Sequence, residues 1–225
     1  MLTVQMWDGY AAPEVHSGKI WFDIETRKVE APAGWPNKRR WQAFMIGTAK
    51  VSGGVLTLEV AEGTEGDVIE DFEKMLRYHG PMAVYGARVR DFDKWVMCGR
   101  FTNARRGLNP VPGSWPHVDE KAWQWKNIWK AVNGESGKNG EKSGDRYPGR
   151  LADLPSIDVP EVWATGNMDM RAVVVLHCLR DVAELVLLDP DVVLPAETRK
   201  ELDQILTDPL WAEDFLNGYE DEHED

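Results

Sequence analysis

Cysteine, long apolar runs and grouped histidines are what this 225-residue sequence has least of. Only Cys98 and Cys178 are present, and neither stands in a Cys-x-x-Cys or Cys/His cluster. A disulfide framework and a structural zinc site are thereby excluded as organising features, and two ordinary reduced thiols are expected. No run approaches the roughly 18 apolar residues that a membrane helix requires, and the start MLTVQMWDGY lacks the basic-then-apolar order of a secretory signal. The expectation is a cytoplasmic chain with no membrane partner.

A hydrophobic content of 43% suits one domain of generous size with appendages rather than two complete domains. The formal net charge of −12 argues by itself against a polyanionic partner. Its distribution weakens that objection. The stretch from Glu213 to the end closes in GYEDEHED and carries seven acids, the composition of a solvated tail and a candidate docking segment for a protein partner. Between Phe101 and Arg150 nine Lys and Arg face five acids, a net positive stretch inside an acidic chain. The expected organisation is an N-terminal extension at 1–18, a domain at 19–208 with a flexible loop at about 133–149, and an acidic tail at 209–225.

Lys19 to Ile24, KIWFDI, is a short apolar run ending in charge, as a buried central strand reads. Trp41 to Val51 and Val55 to Val60 are strand-like runs separated by Ser52, Gly53 and Gly54, which predicts a hairpin and a three-stranded antiparallel meander. Asp67 to Tyr78 has apolar residues at helical spacing and stops at Gly80-Pro81; Met82 to Tyr85 reads as a strand, and Phe92 to Cys98 as the start of a second helix. Trp125, Ile128, Trp129 and Val132 share a helical face, predicting a helix over Glu120 to Val132. Asp169 to Leu188 and Pro195 to Leu206 read as further helices, the first stopped by Pro190.

Asp23 and Glu25 stand two apart at the end of the first predicted strand, so the period-two rule turns both side chains to one face. His177 and Asp181 stand four apart on a predicted helix, one turn along the same face. Phosphodiester hydrolysis requires an activated water and stabilisation of charge on the leaving oxygen, which two divalent ions about 3.5 to 4 Å apart provide. Magnesium takes oxygen ligands and keeps several waters, so a few carboxylates from separate elements suffice to hold it.

FDIET at Phe22 to Thr26 resembles the first motif of the DEDD superfamily of 3′ to 5′ exonucleases. In that superfamily the second motif places an aspartate, usually after phenylalanine, at the start of the helix after strand four. Phe92-Asp93 occupies that place, with Asp91 as a rival and without the asparagine often found shortly before it. The third motif is Tyr-x-x-x-Asp or His-x-x-x-x-Asp on a late helix, and HCLRD at His177 to Asp181 resembles the tyrosine type with histidine in its place. The resemblance covers roughly Lys19 to Leu188. It implies an α/β, ribonuclease-H-like mixed sheet of about five strands, with an antiparallel meander followed by parallel strands, flanked by helices. It also implies two Mg2+ or Mn2+ ions. By position, Asp23 bridges both ions, Glu25 and Asp181 complete one site, Asp93 serves the other, and His177 orients or deprotonates the attacking water.

The implied substrates are single-stranded DNA or RNA 3′ ends, with DNA slightly preferred. Candidate nucleic-acid contacts are Thr26 in the first motif, the basic residues Arg105, Arg106, Lys121, Lys126 and Lys130 for phosphates, and Trp35 and Trp115, beside prolines, for base stacking. Two alternatives stay open: a scaffold or nucleic-acid-binding protein that keeps the fold without the catalysis, and an endonuclease of the same fold.

Overall fold

The computed structural model describes residues 1–6, 20–29, 41–52, 54–64, 66–68, 147–155 and 157–223, with 83–86 and 124–127 described by their backbone alone. Strand β1 is Leu2–Met6, β2 Ile20–Lys28, β3 Trp41–Ser52, β4 Val55–Glu62, β5 Ala83–Gly86 and β6 Gln124–Asn127. The helices whose full span is described are α1, Val159–Ala164; α2, Met168–Leu188; α3, Ala196–Thr207; and α4, Pro209–His223.

The meander forms as its pattern predicts. Gly54, at φ +80°, takes a left-handed conformation in the turn that only glycine adopts without strain, and β3 pairs antiparallel with both β4 and β2. Among the described residues the sheet order is β1-β4-β3-β2-β5-β6, with β5 parallel to β2, β6 parallel to β5 and β1 parallel to β4. Four neighbouring strands, β1-β4-β3-β2, contain one parallel pair and carry described side chains. The expected count of about five is corrected: six strands pair among the described residues, and the four with described side chains include the unforeseen β1.

Three further expectations are corrected. Residues 2–6 belong to the sheet rather than to an extension: Leu2, Val4 and Met6 pack on the core, and the Met1 ammonium donates to Thr198 Oγ1 at 2.9 Å. Gln124–Asn127 is a strand within the segment predicted as a helix over Glu120 to Val132. This strand is chosen by its parallel neighbour β5, a partner remote in sequence that a local helical pattern cannot reveal. The expected acidic tail is helical from Pro209 to His223. Trp211, Phe215 and Tyr219 recur every four residues; Trp211 stacks on Phe215 at 5.6 Å between ring centroids and Phe215 meets Tyr219 tilted at 6.3 Å, so an apolar stripe docks the helix despite its charge. The predicted helix from Asp67 begins at 66–68. The rest of it, the one from Phe92, and most of the 133–149 loop lie outside the described residues.

Helix α2 is the centre of the packing. It lies against β2, β3 and β4 on one side and against α1, α3 and α4 on others, and every residue from Val174 to Leu187 is buried. A helix apolar nearly all round belongs in such a position. Asn167 caps it by accepting from the Asp169 amide at 2.9 Å, relieving one of the unpaired amides of the first turn. At the other end the Trp21 indole donates to Asp189 Oδ2 at 3.0 Å, tying the end of α2 to the start of β2.

Candidate metal centre

Trp21, Asp23 and Glu25 alternate along β2 and so face one side of the sheet. Asp23 and Glu25 are only 5% and 6% exposed. Trp21 meets Asp189 while Glu25 meets His177, so α2 runs back along β2 and lays its acidic turn over the strand. Gly47 makes this approach close enough. It pairs with Asp23 in the sheet, and a Cβ built on it would stand 2.8 Å from both Cys178 Sγ and Val182 Cγ2. Any side chain there would hold α2 off the sheet.

The register of β2 and β3 shifts between Glu25 and Thr26, with Glu25 opposite Met45 and Thr26 opposite Ala43. Phe44 is the extra residue of this bulge; it is buried and stacks on Trp163 at 5.1 Å. A bulge bends its strand and re-aims side chains, and this one places Thr26, half-buried, just past the acidic pair.

His177 stands at the meeting point. Its Nε2 lies 3.6 Å from Glu25 Oε1 and 3.8 Å from Asp181 Oδ2, while Nδ1 lies 3.1 Å from Asp153 Oδ1. The ring is 3% exposed and Nε2 has no hydrogen-bond partner. Burial alone would lower its pKa, but the hydrogen bond with Asp153 and the charges of Asp181 and Glu25 outweigh this and push it up to about 9.

Arg150 and Asp153 complete the cluster, and neither was among the residues singled out from the sequence as site candidates. They lie on the segment 147–155, which is pinned to α3 by Tyr147 Oη donating to Asp203 Oδ1 at 2.7 Å and by the Leu151 amide donating to Leu206 O at 2.8 Å. The Arg150 guanidinium pairs with Asp181 Oδ1 at 2.7 Å, with Asp153 Oδ2 at 2.8 Å and with Glu184. Those three charges raise its pKa against the opposing effect of burial. Burial would raise the Asp153 carboxyl, yet the His177 hydrogen bond and the Arg150 charge hold it below the ordinary value. A local signal existed: His177, Asp181 and Glu184 lie at i, i+4 and i+7 within an apolar helix, a spacing that asks for a cationic partner. Nothing in the sequence said that Arg150 would be that partner.

Two overlapping donor groups can be drawn from these side chains: Asp23, Glu25 and Cys178, and Glu25, His177 and Asp181, each with its donor atoms within 4.8 Å of one another. Cys178 is fully buried, and burial with the nearby Glu25 and Asp23 charges raises its thiol pKa well above the ordinary value. It is a neutral packing group, as expected of a reduced thiol. The remaining donors are three carboxylates and one imidazole, a set that fits a divalent cation. The orphaned Nε2 of a buried ring, aimed at two carboxylate oxygens, fits it as well.

Of the residues named from the sequence, Asp23, Glu25, His177 and Asp181 come together. Thr26 adjoins them. Lys126 lies on β6, described by its backbone alone. Asp93, its rival Asp91, Arg105, Arg106, Lys121, Lys130, Trp35, Trp115 and Cys98 lie outside the described residues. Among the described residues no helix is long and apolar enough to cross a membrane. No protein-family model matches the chain, and no curated protein matches it.

Proposed function

We propose that the chain is a metal-dependent 3′ to 5′ exonuclease of ribonuclease-H-like architecture, acting on single-stranded nucleic-acid ends with DNA slightly preferred. The observation that carries this reading is the convergence of Asp23 and Glu25 from β2 with Asp181 from α2 in one buried cluster. The sheet order supports it too: a β2-β3-β4 meander followed by β5 and β6 parallel to β2 is the order expected of that architecture.

Asp23, Glu25 and Asp181 would hold the cations, with Asp93 as the proposed fourth carboxylate. Two bound divalent ions would supply an activated water and stabilise charge on the leaving oxygen. The protein contributes placement: Gly47 sets the distance between strand and helix, and Trp21 with Asp189 fixes the register of α2 along β2. Arg150 holds Asp181 Oδ1 and leaves Oδ2 turned toward His177. A water-activating base must be neutral at working pH. The neighbouring carboxylates favour the protonated His177 ring in the metal-free protein, so that role requires its proton to leave when the site is loaded.

The purified chain should shorten a 5′-labelled single strand in Mg2+ or Mn2+, stop in EDTA, and lose the activity in Asp23→Asn. Full activity in that variant would remove the proposal. Cleavage of a circular single strand would redirect it to an endonuclease, since a circle has no 3′ end.

One observation favours the scaffold reading. Arg150 already neutralises Asp181 and Glu184, as it would in a purely structural charge network. Calorimetric titration with Mn2+ separates the two, because a scaffold should bind no metal through Asp23 and Glu25.

A further inference from the structure

His177 carries the features of a metal ligand rather than of a solvent-facing base, and an orienting carboxylate is already in place behind it. We propose, resting on the metal-dependent reading above, that His177 Nε2 is a direct ligand in a Glu25–His177–Asp181 site. That site would take a divalent transition cation such as Mn2+ in preference to Mg2+.

Three observations carry this. First, Nε2 is buried, has no hydrogen-bond partner, and is aimed between Glu25 Oε1 at 3.6 Å and Asp181 Oδ2 at 3.8 Å. Donors each about 2.1 Å from one ion lie roughly 3.0 to 3.4 Å apart across the edges of an octahedron or tetrahedron. The two distances from Nε2 close to that with movements of a few tenths of an ångström, and all three donor atoms already lie within 4.8 Å of one another. Second, Asp153 Oδ1 lies 3.1 Å from Nδ1. A ligating histidine almost always gives its other ring N–H to a carboxylate or carbonyl, which fixes the tautomer and points the lone pair at the metal. Asp153 is thus a positioning residue. Third, α2 holds the ring rigidly: His177 lies one turn before Asp181 on a helix whose flanking residues Leu176 and Cys178 are both buried. The imidazole therefore already faces the place where an ion would sit.

The selectivity follows from donor chemistry. Magnesium demands oxygen ligands, keeps its waters and gains little from an imidazole, whereas Mn2+ and the later divalent ions accept nitrogen. Replacing an all-oxygen set by one with a nitrogen donor moves the preference toward the latter.

The test uses the full chain loaded with one equivalent of Mn2+ and needs no turnover. Pulsed electron paramagnetic resonance should detect 14N modulation that changes to the 15N pattern when the protein is made with 15N-histidine. His177→Gln should abolish the modulation and lower Mn2+ affinity at least about 10-fold, while Mg2+ affinity changes by less than about 3-fold. Should that variant fail to fold, a chain with His16, His79, His117 and His223 all changed to Gln must keep the modulation. Tight Mn2+ binding without nitrogen coupling, or coupling that survives in His177→Gln, would overturn this inference and leave the exonuclease proposal standing. Failure of Mn2+ to bind at all, or binding unaffected by Asp23→Asn and Glu25→Gln, would overturn both.

Discussion

The close approach of α2 to the sheet rests on the missing side chain of Gly47, the β3 residue paired with Asp23, and Gly47→Ala is the most direct perturbation of the site that touches no ligand. The added methyl would lie 2.8 Å from Cys178 Sγ and 2.8 Å from Val182 Cγ2. Carbon atoms pack at about 3.5 to 4.0 Å, so something must retreat by roughly 0.7 to 1.2 Å. Cys178 and Val182 are both fully buried at 0% exposure, and neither has a flexible end to swing away. The helix must therefore lift, or the strand must bow. Overpacking of this kind costs about 1 to 3 kcal/mol. With a urea dependence of about 2 kcal/mol per molar, the unfolding midpoint followed by circular dichroism should fall by roughly 0.5 to 1.5 M. The same lift carries His177 and Asp181 away from Asp23 and Glu25, so Mn2+ affinity should fall alongside stability. Val182→Ala introduced together with Gly47→Ala opens space for the methyl. The pair should be less destabilised than the sum of the single changes, with a coupling of about 0.5 to 3 kcal/mol. A Gly47→Ala protein with unchanged midpoint and unchanged Mn2+ affinity would refute the idea that close strand–helix contact at this glycine builds the site.

In the metal-free protein, His177 has a pKa pushed up to about 9 against an ordinary value near 6.5. Its contribution is present in full below the ordinary value and is lost as pH rises through about 9, with an upper size of roughly 3 kcal/mol. Urea midpoints measured from pH 6 to 10 should fall across that window and be flatter in His177→Gln; a slope shared by both proteins would contradict this. Arg150→Met strips one cation from Asp153, Asp181 and Glu184 and should destabilise by about 3 to 5 kcal/mol, with Arg150→Lys intermediate because it keeps the charge and loses the fork. A loss under about 1 kcal/mol, measured by denaturant titration, would mean the guanidinium is dispensable. Ending the chain at Asp208 removes the aromatic row Trp211, Phe215 and Tyr219 and uncovers part of α2. It should cost at least about 3 kcal/mol, whereas a solvated tail would be lost without effect on the midpoint.

The strands of the meander and the helices α2 and α3 were legible in the sequence because their signals are local. Period-two apolar runs around Gly54, a nearly continuous apolar run broken by Pro190, and Pro195 at a helix start each act within a few residues. The grouping of Asp23 with Glu25, and of His177 with Asp181, followed from strand and helix periodicity alone. What the sequence by itself determined, then, was which side chains share a face. It could not say that the acidic C-terminal residues form a helix, since charge composition dominated the three aromatic positions that dock it. Nor could it say that residues 2–6 join the sheet, because an edge strand beside β4 is chosen by a partner far away in the chain. Only tertiary structure decided that the two acidic faces meet. That meeting depends on the missing side chain at Gly47, on the Trp21–Asp189 hydrogen bond, and on Arg150 and Asp153 arriving from a segment held by α3. Each is a contact between residues remote in sequence, where the distances that make a cation site are set by packing rather than by local preference.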